Sequence, residues 1–428
     1  MIDLSSKLSP WLSAPSWCVA FSGGLDSTVL LHLLANLPHK PVIRAIHVHH
    51  GLQAVAEAWP SHCQQLCEGL GVNLQVIHVE VSAGASLEQA ARDARYAAFN
   101  AALRPGEVLL TGQHREDQAE TLLFRLLRGA GVRGLAAMPI QRALGQGVLL
   151  RPFLDVSRKA LEAYAREHQL TWVEDPSNSD TQYSRNYLRH AVFPTLRQRW
   201  PQVAQNLART AEHLSEAQGL LDELARQDLA LASTANAYDW LGLASLDLRV
   251  MRSLSPARQR NALQYWMAQR TRLPDARHWA GWEALRDAAG DGRPVWRLTD
   301  GELHRSNERV WWLSGDWLKA PQGPQVWSAP NEALVLSGNG QVSLSGTLPQ
   351  GVLHIAYRQG GESLLVHGRG RRDLKRLLNE LEVPAFVRSR LPLLYCDDQL
   401  VAVANLPVLS RQGADLNWCL PTSEQGLR

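Results

Sequence analysis

No apolar run in this chain of 428 residues approaches the roughly 20 residues that a membrane-spanning helix needs, so no helical span is expected. Cysteine is scarce and odd in number. Cys18, Cys63, Cys67, Cys396 and Cys419 follow no regular spacing, which argues against a disulfide framework and for a reducing, cytoplasmic setting. The opening segment MIDLSSKLSPWLSAPSW has no basic stretch followed by an apolar core, so no secretion signal is expected. Lysine is nearly absent, and positive charge is carried almost wholly by arginine, the residue suited to forked phosphate contacts. A net charge of only +3 makes no case by itself for a nucleic-acid partner. The arginines do gather, in YSRNYLRHAVFPTLRQRW and in YRQGGESLLVHGRGRRDLKRLL. These stretches read either as solvated helical faces or as a polyanion-binding surface. Internal repeats and low-complexity tracts are lacking, and the length calls for two or three domains.

What is present is an alternation of strands and helices over the first half. The strand-like runs SWCVAF, PVIRAIHV, NLQVIHVEV, EVLLTG and GVLLRPF are separated by helical periodicities, among them SLEQAARDARYAAFNAAL and REDQAETLLFRLLRG. That order predicts an α/β, Rossmann-like, doubly wound parallel sheet. Near residue 200 the pattern changes to a long amphipathic helical run and then a tryptophan-rich region with helices and short strands. Residues 319–350, rich in Pro, Gly and Ser, read as a linker with short strands. The last stretch, 351–428, reads as a small α+β domain with one basic helix, RDLKRLLNELEV, and a hairpin turning at Asp397-Asp398.

The most informative stretch is AFSGGLDSTVLLHLL, where the first strand passes into the first helix. Free amides and the helix dipole favour an anion there. Gly23 and Gly24 let the backbone approach closely, and Ser22, Ser27 and Thr28 add hydroxyls. The loop is neither a Walker A sequence nor a dinucleotide fingerprint. Having no lysine, it cannot neutralise a triphosphate alone, and Asp26 would repel phosphates unless a divalent cation lay between them. Mg²⁺ is the cation that binds through one or two carboxylates plus phosphate oxygens. The competing reading is a glycine-rich turn with Asp26 in a dipole-favoured first turn.

A second constellation, TGQHREDQAETLLFRLLRG, puts Asp117 and Glu120 at i and i+3, on one helix face beyond the fourth strand. His47 and His49 in HVHHGLQ share one face of a strand end. They read as a polar rim of the sheet, since no spacing supplies further zinc ligands. Cys63 and Cys67 read as core or surface thiols on a helix.

The S-G-G-x-D-S string resembles the PP-loop of the N-type ATP pyrophosphatases. In that family the loop holds the leaving pyrophosphate while the α-phosphorus is attacked. TGQHREDQAET…RLLRG is similar to the G-H-x-x-D-D-Q-x-E-T…R-x-x-R-G segment of tRNA(Ile)-lysidine synthetases, with Glu116 standing where that family usually has its first Asp. ARDARYAAF resembles the family's A-R-x-x-R-Y-x-x-F, and WVEDPSNSDTQYSRNYLRH…P-T-L its W-x-x-D-x-S-N…Y-x-R-N-x-x-R…P-x-L. The tail's RQGGE…RDLKRLLNELEVP…PLLY is similar to the family's last domain. The resemblance implies a ligase using ATP and Mg²⁺, with Ser22, Gly23, Gly24, Leu25, Asp26, Ser27, His47, His49 and Gly112 around ATP. It implies a metal at Asp26, Asp117 and Glu120, which would be catalytic together with Arg92, Arg95 and Arg185. Arg185, Asn186, Arg189, Arg371, Arg372, Lys375 and Arg376 are the expected tRNA contacts. The expected partners are free L-lysine and a tRNA-Ile with a CAU anticodon. A homodimer is compatible with the sequence, which does not set the oligomeric state.

The expected domains are a catalytic PP-loop domain over 1–199, a helical substrate-binding domain over 200–318, the linker over 319–350 and a tRNA-binding domain over 351–428. Three alternatives differ in class. A PP-loop thiolase would need well-placed cysteines, a non-catalytic nucleotide sensor would release no AMP, and an amidotransferase-type ligase would need a nucleophilic cysteine arrangement.

Overall fold

The computed structural model describes residues 2–51, 54–81, 87–274, 276–289, 292–366, 370–410 and 413–422. The chain forms two compact units, Met1–Leu220 and Leu221–Arg428, divided within the long helix Val203–Ala232.

In the first unit six strands make one sheet: β1 (Ser16–Ala20), β2 (Val42–His49), β3 (Asn73–His78), β4 (Val108–Leu110), β5 (Gln141–Leu144) and β6 (Gly147–Leu150). Their order is β3-β2-β1-β4-β6-β5. Every pairing is parallel except that of β5 with β6. The parallel, doubly covered sheet expected from the sequence is therefore present. Its strands alternate between two apolar layers, as a strand buried on both faces must. Trp17 and Val19 pack with Val29, Leu30, Leu31 and Leu34 of the helix Leu25–Ala35. Cys18 points the other way, onto Ile46, Phe99, Leu103, Leu109 and Leu149. The order of strands reverses at β1, whose neighbours are β2 and β4. That reversal opens a crevice at the carboxyl ends of β1 and β4, which is where open sheets of this kind bind ligands. The edge strand β5 is an addition to the expected topology. Three of its four residues QRAL are exposed and two are polar, so no apolar alternation announces them, and a tight turn at Gly145 folds them onto β6.

The second unit opens with an antiparallel sheet of β7 (Ser245–Asp247), β8 (Val295–Arg297), β9 (Glu302–Ser306) and β10 (Arg309–Leu313), in the order β7-β10-β9-β8. It is covered by helices that include Pro256–Met267 and Ala280–Asp287. Trp266, Trp282, Trp296 and Trp312 are buried between them, so these tryptophans of the middle region are core residues. Residues 319–350 are more than a linker. Gln325–Val326 pairs with Leu353–Ala356, and Gln341–Gly346 pairs with Ala414–Cys419. Burial of Trp327, Leu336 and Val342 draws this Pro/Gly-rich stretch into the same core as Trp418. The expected hairpin is present: Leu393–Cys396 and Gln399–Val403 pair across Asp397, which takes a positive φ of 52°. The basic helix begins later than expected, at Leu374, because Asp373 caps it by accepting the Arg376 amide. Arg371 and Arg372 accordingly lie on a strand, Gly370–Asp373.

Candidate active site

The loop after β1 is built to leave amides open. Gly24 precedes the helix Leu25–Ala35 in an extended conformation, and no side chain caps the helix. Its first-turn N–H groups therefore have no partner within the helix. The hydroxyls hold the loop's shape. Ser27 Oγ donates to the Gly24 carbonyl at 3.0 Å and accepts the Ser22 amide at 3.3 Å, while Ser22 Oγ accepts the Gly24 amide at 3.3 Å. Gly23 takes φ +81°, and a Cβ there would lie 2.9 Å from Cys63 Sγ. Its carbonyl accepts the Val173 amide at 2.9 Å, tying the 172–180 segment to the loop. Gly112, just past β4, is needed for close approach, since a Cβ on it would sit 3.0 Å from the Asp26 carbonyl.

Beside this loop the start of the helix Arg115–Leu126 supplies acids around one imidazole. His114 is buried, at 1% exposure, and its Nε2 lies 3.7 Å from Asp26 Oδ2 and 3.5 Å from Asp117 Oδ2. Burial opposes its charge, but Asp117, Glu116 and Asp26 outweigh this and hold its pKa up at about 9. As the imidazolium, Nδ1 donates to Glu116 Oε2 at 3.2 Å; only the neutral ring could accept the Glu116 amide instead. Glu116 also accepts the Arg158 amide at 2.9 Å, and these bonds bring its pKa down to about 2 against the effect of burial. It therefore stitches two helix starts together. Glu120, 5% exposed, is held by both arms of Arg189, with Nε to Oε1 and Nη2 to Oε2 each 2.8 Å. Arg189 Nη2 also reaches Asp117 Oδ1 at 3.1 Å. Burial works against this guanidinium's charge, yet Glu120, Asp117 and Asp26 hold it protonated. Burial lifts the carboxyls of both Glu120 and Asp26 above the ordinary value. Asp26 differs in that its Oδ1 is buried with no hydrogen-bond partner.

Three family models match consecutive parts of the chain: a PP-loop domain over residues 3–196, a TilS substrate binding domain over 246–311 and a TilS substrate C-terminal domain over 353–420. Curated relatives match over nearly the full length. The tRNA(Ile)-lysidine synthase of Pseudomonas putida is 67% identical, over 98% of this chain and 99% of its own. That of Pseudomonas aeruginosa is 58% identical, over 99% and 98%, and that of Coxiella burnetii 38% identical, over 95% and 93%. The chain belongs to the tRNA(Ile)-lysidine synthase family.

Against that membership, the expected site residues of this synthase-family chain fall into distinct groups. Asp26, Asp117, Glu120 and Arg189 converge beside the loop. Arg189, expected to face RNA, is instead committed to the two carboxylates, and Glu120 has both oxygens engaged by it. Asn186 Nδ2 donates to the Ser177 and Asp180 carbonyls at 2.8 Å each. Arg92 and Arg95 lie on the helix Leu87–Ala102; Arg185 Nε reaches Glu88 at 3.9 Å. His47 is buried, with Nδ1 donating to the Phe21 carbonyl at 2.9 Å and burial pushing its pKa down, so it is neutral. Its Nε2 is buried without a partner. His49 contacts Glu57 at 3.3 Å; Leu52 and Gln53 of the same motif lie outside the described residues. Arg371, Arg372, Lys375 and Arg376 are exposed on the second unit, opposite the buried Leu374, Leu377 and Leu378. The residue that sequence reasoning passed over is His114, although it stood inside the quoted string between Gly112 and Asp117. Its centrality comes from the folding of Asp26 against it.

A divalent cation fits this donor set through Asp26. Its orphaned buried oxygen is the kind of acceptor that a cation satisfies, and Asp117 lies across the same imidazole. Among the described residues no three His, Cys, Asp or Glu side chains form a ready-made cage. A metal here would take its other ligands from phosphate and water, as Mg²⁺ does.

Proposed function

We propose that this chain converts the wobble cytidine of a CAU-anticodon tRNA-Ile to lysidine, using ATP and free lysine in the cytoplasm. The observation that carries the proposal is the uncapped helix start at Leu25 with the unpartnered Asp26 oxygen beside it. Open amides suit the outer phosphates of ATP, and the lone carboxylate oxygen suits a cation next to them. Mg²⁺ at Asp26, with Asp117 near, would neutralise charge on the phosphates. In the first step the C2 oxygen of the cytosine bonds to the α-phosphorus and the bond to the β-phosphate breaks. Pyrophosphate then leaves from the loop of Ser22 to Ser27. In the second step the lysine amine attacks C2, the C–O bond breaks with AMP as leaving group, and the amine gives up its proton. Adenylation is required because the carbonyl oxygen is otherwise a poor leaving group. A base splayed out of a single-stranded loop suits such chemistry. Arg92, Arg95 and Arg185 are assigned to phosphate or base contacts, and the exposed Arg371, Arg372, Lys375 and Arg376 to the acceptor end of tRNA.

The thiolase alternative is disfavoured by the cysteines. Cys63, beside the loop, and Cys67 are both buried, and burial pushes each thiol to about 12, far from a reactive thiolate. The test is incubation with ATP, labelled lysine and tRNA transcripts carrying CAU or other anticodons. The reading requires lysine incorporation into the CAU transcript with release of AMP and pyrophosphate. A gain of one sulfur, or release of phosphate alone, would refute it.

A further inference from the structure

Beyond the carboxyl end of β6 lies a group of arginines that includes Arg92, assigned above, and others that the proposed chemistry does not employ. Tyr96, on the helix Leu87–Ala102, has the guanidinium of Arg92 5.0 Å from its ring centroid, and that of Arg142, on the edge strand β5, also at 5.0 Å. Arg151 follows β6 directly and is 2% exposed. One of its terminal nitrogens donates to the Pro139 carbonyl at 2.7 Å, but its Nε is buried with no partner. Arg125 lies within the same field: burial first, then the charges of Arg185, Arg92 and Arg151, lower its pKa. Among the described residues no carboxylate pairs with Arg92, Arg125, Arg142 or Arg151. Glu88 lies 3.9 Å from the neighbouring Arg185. In the same unit Arg44 is paired with Glu107 and Arg189 with Glu120.

Like charges gathered without counter-charge repel one another, and a partly dehydrated cluster of them pays for its assembly only when an anion arrives. We infer that the arginines around Tyr96, with Arg142 and Arg151 as its new members, bind backbone phosphates of the RNA strand that enters the active site. The inference rests on the reading of the chain as a tRNA-modifying enzyme. Position separates this site from the ATP cradle. It lies at the carboxyl edge of the same sheet, but two strands along, from β1 through β4 to β6. Strand spacing makes that displacement about 10 Å, beside the cradle and outside it. The residue type selects phosphate over bases: guanidinium forks match phosphate oxygens, and such contacts position a strand without reading its sequence.

The test uses the full-length chain with Arg142→Ala, Arg142→Lys and Arg151→Lys. Binding is measured to CAU and non-CAU tRNA transcripts over a range of salt, and the KM for ATP is taken from AMP release. The expected result is that Arg142→Ala weakens both transcripts by the same factor. It should also lower the slope of log affinity against log salt by about 0.7 to 0.9, one phosphate contact. The KM for ATP stays unchanged, and Arg142→Lys recovers most of the slope. Unchanged affinity and slope in both Arg142→Ala and Arg151→Lys overturns the inference. So does a raised KM for ATP with tRNA binding intact, which would make this a nucleotide subsite, and so does a loss confined to the CAU transcript. A wild-type chain that binds tRNA but transfers no lysine sinks the reaction proposed above, while the salt slope still decides this site.

Discussion

Asp26 carries the heaviest chemical demand of any residue in the first unit. It faces the His114 imidazolium at 3.7 Å, yet its second oxygen is buried and unsatisfied. Asp26→Asn keeps the shape and removes the charge that would hold a cation against the phosphates. We expect AMP release to fall by about 100-fold or more, with no loss in thermal midpoint, because the variant relieves a buried charge beside Asp117. A rate near that of the wild type would remove the metal from the proposal. At this scale the sequence was legible where chemistry is local: Ser22 to Ser27 are adjacent, and their hydroxyls close the loop upon itself. It was illegible for Arg189. A basic residue in an RNA-like motif gives no sign that a helix 69 residues earlier in the chain will present Glu120 to it at 2.8 Å.

Elements set how accurately these groups meet. Gly112 lets the end of β4 lie against the first turn of the helix Leu25–Ala35. Gly112→Ala would place a Cβ 3.0 Å from the Asp26 carbonyl and shift the cradle. The expected outcome is a raised KM for ATP with tRNA affinity unchanged, read by steady-state kinetics beside a binding assay. At the opposite edge of the sheet Glu107, 1% exposed, clasps Arg44 through Nε at 2.9 Å and also accepts from Ser16 and the Arg104 amide. Burial alone would raise its pKa, but Arg44 leads a set of donors that brings it down to about 2. A depressed carboxylate stabilises the fold fully above its unfolded value, near 4.5, and that stability is lost as pH falls toward 2. Glu107→Gln should cost about 3 kcal/mol at neutral pH by leaving Arg44 unpaired. The gap in denaturant midpoint between variant and wild type should close between pH 4.5 and 2. A gap that stays constant with pH would show that Glu107 does not titrate as described. The helices and parallel strands around these groups were readable from period and caps. The strand β5 was not, because an exposed edge strand needs no apolar pattern.

Across the whole molecule the exposed Arg371, Arg372, Lys375 and Arg376 belong to the second unit and the phosphate loop to the first. Replacing Lys375 and Arg376 together by Ala should weaken tRNA binding and flatten its salt dependence by about two contacts. The fold should survive, since the buried side of that helix is Leu374, Leu377 and Leu378. Unaltered binding would remove the tail from the interface. The sequence by itself determined the parallel sheet, the anion-ready loop and the family, because each rests on residues near one another in the chain or on a regular period. Tertiary structure alone decided that His114 lies between Asp26 and Asp117, that Arg189 faces carboxylates, and that the short strands of the Pro/Gly-rich stretch 319–350 join a buried core with Trp418. Each of these depends on contacts between segments tens of residues apart, and burial makes those contacts obligatory because a charge or an open strand edge taken out of water must find its partner wherever the fold supplies one.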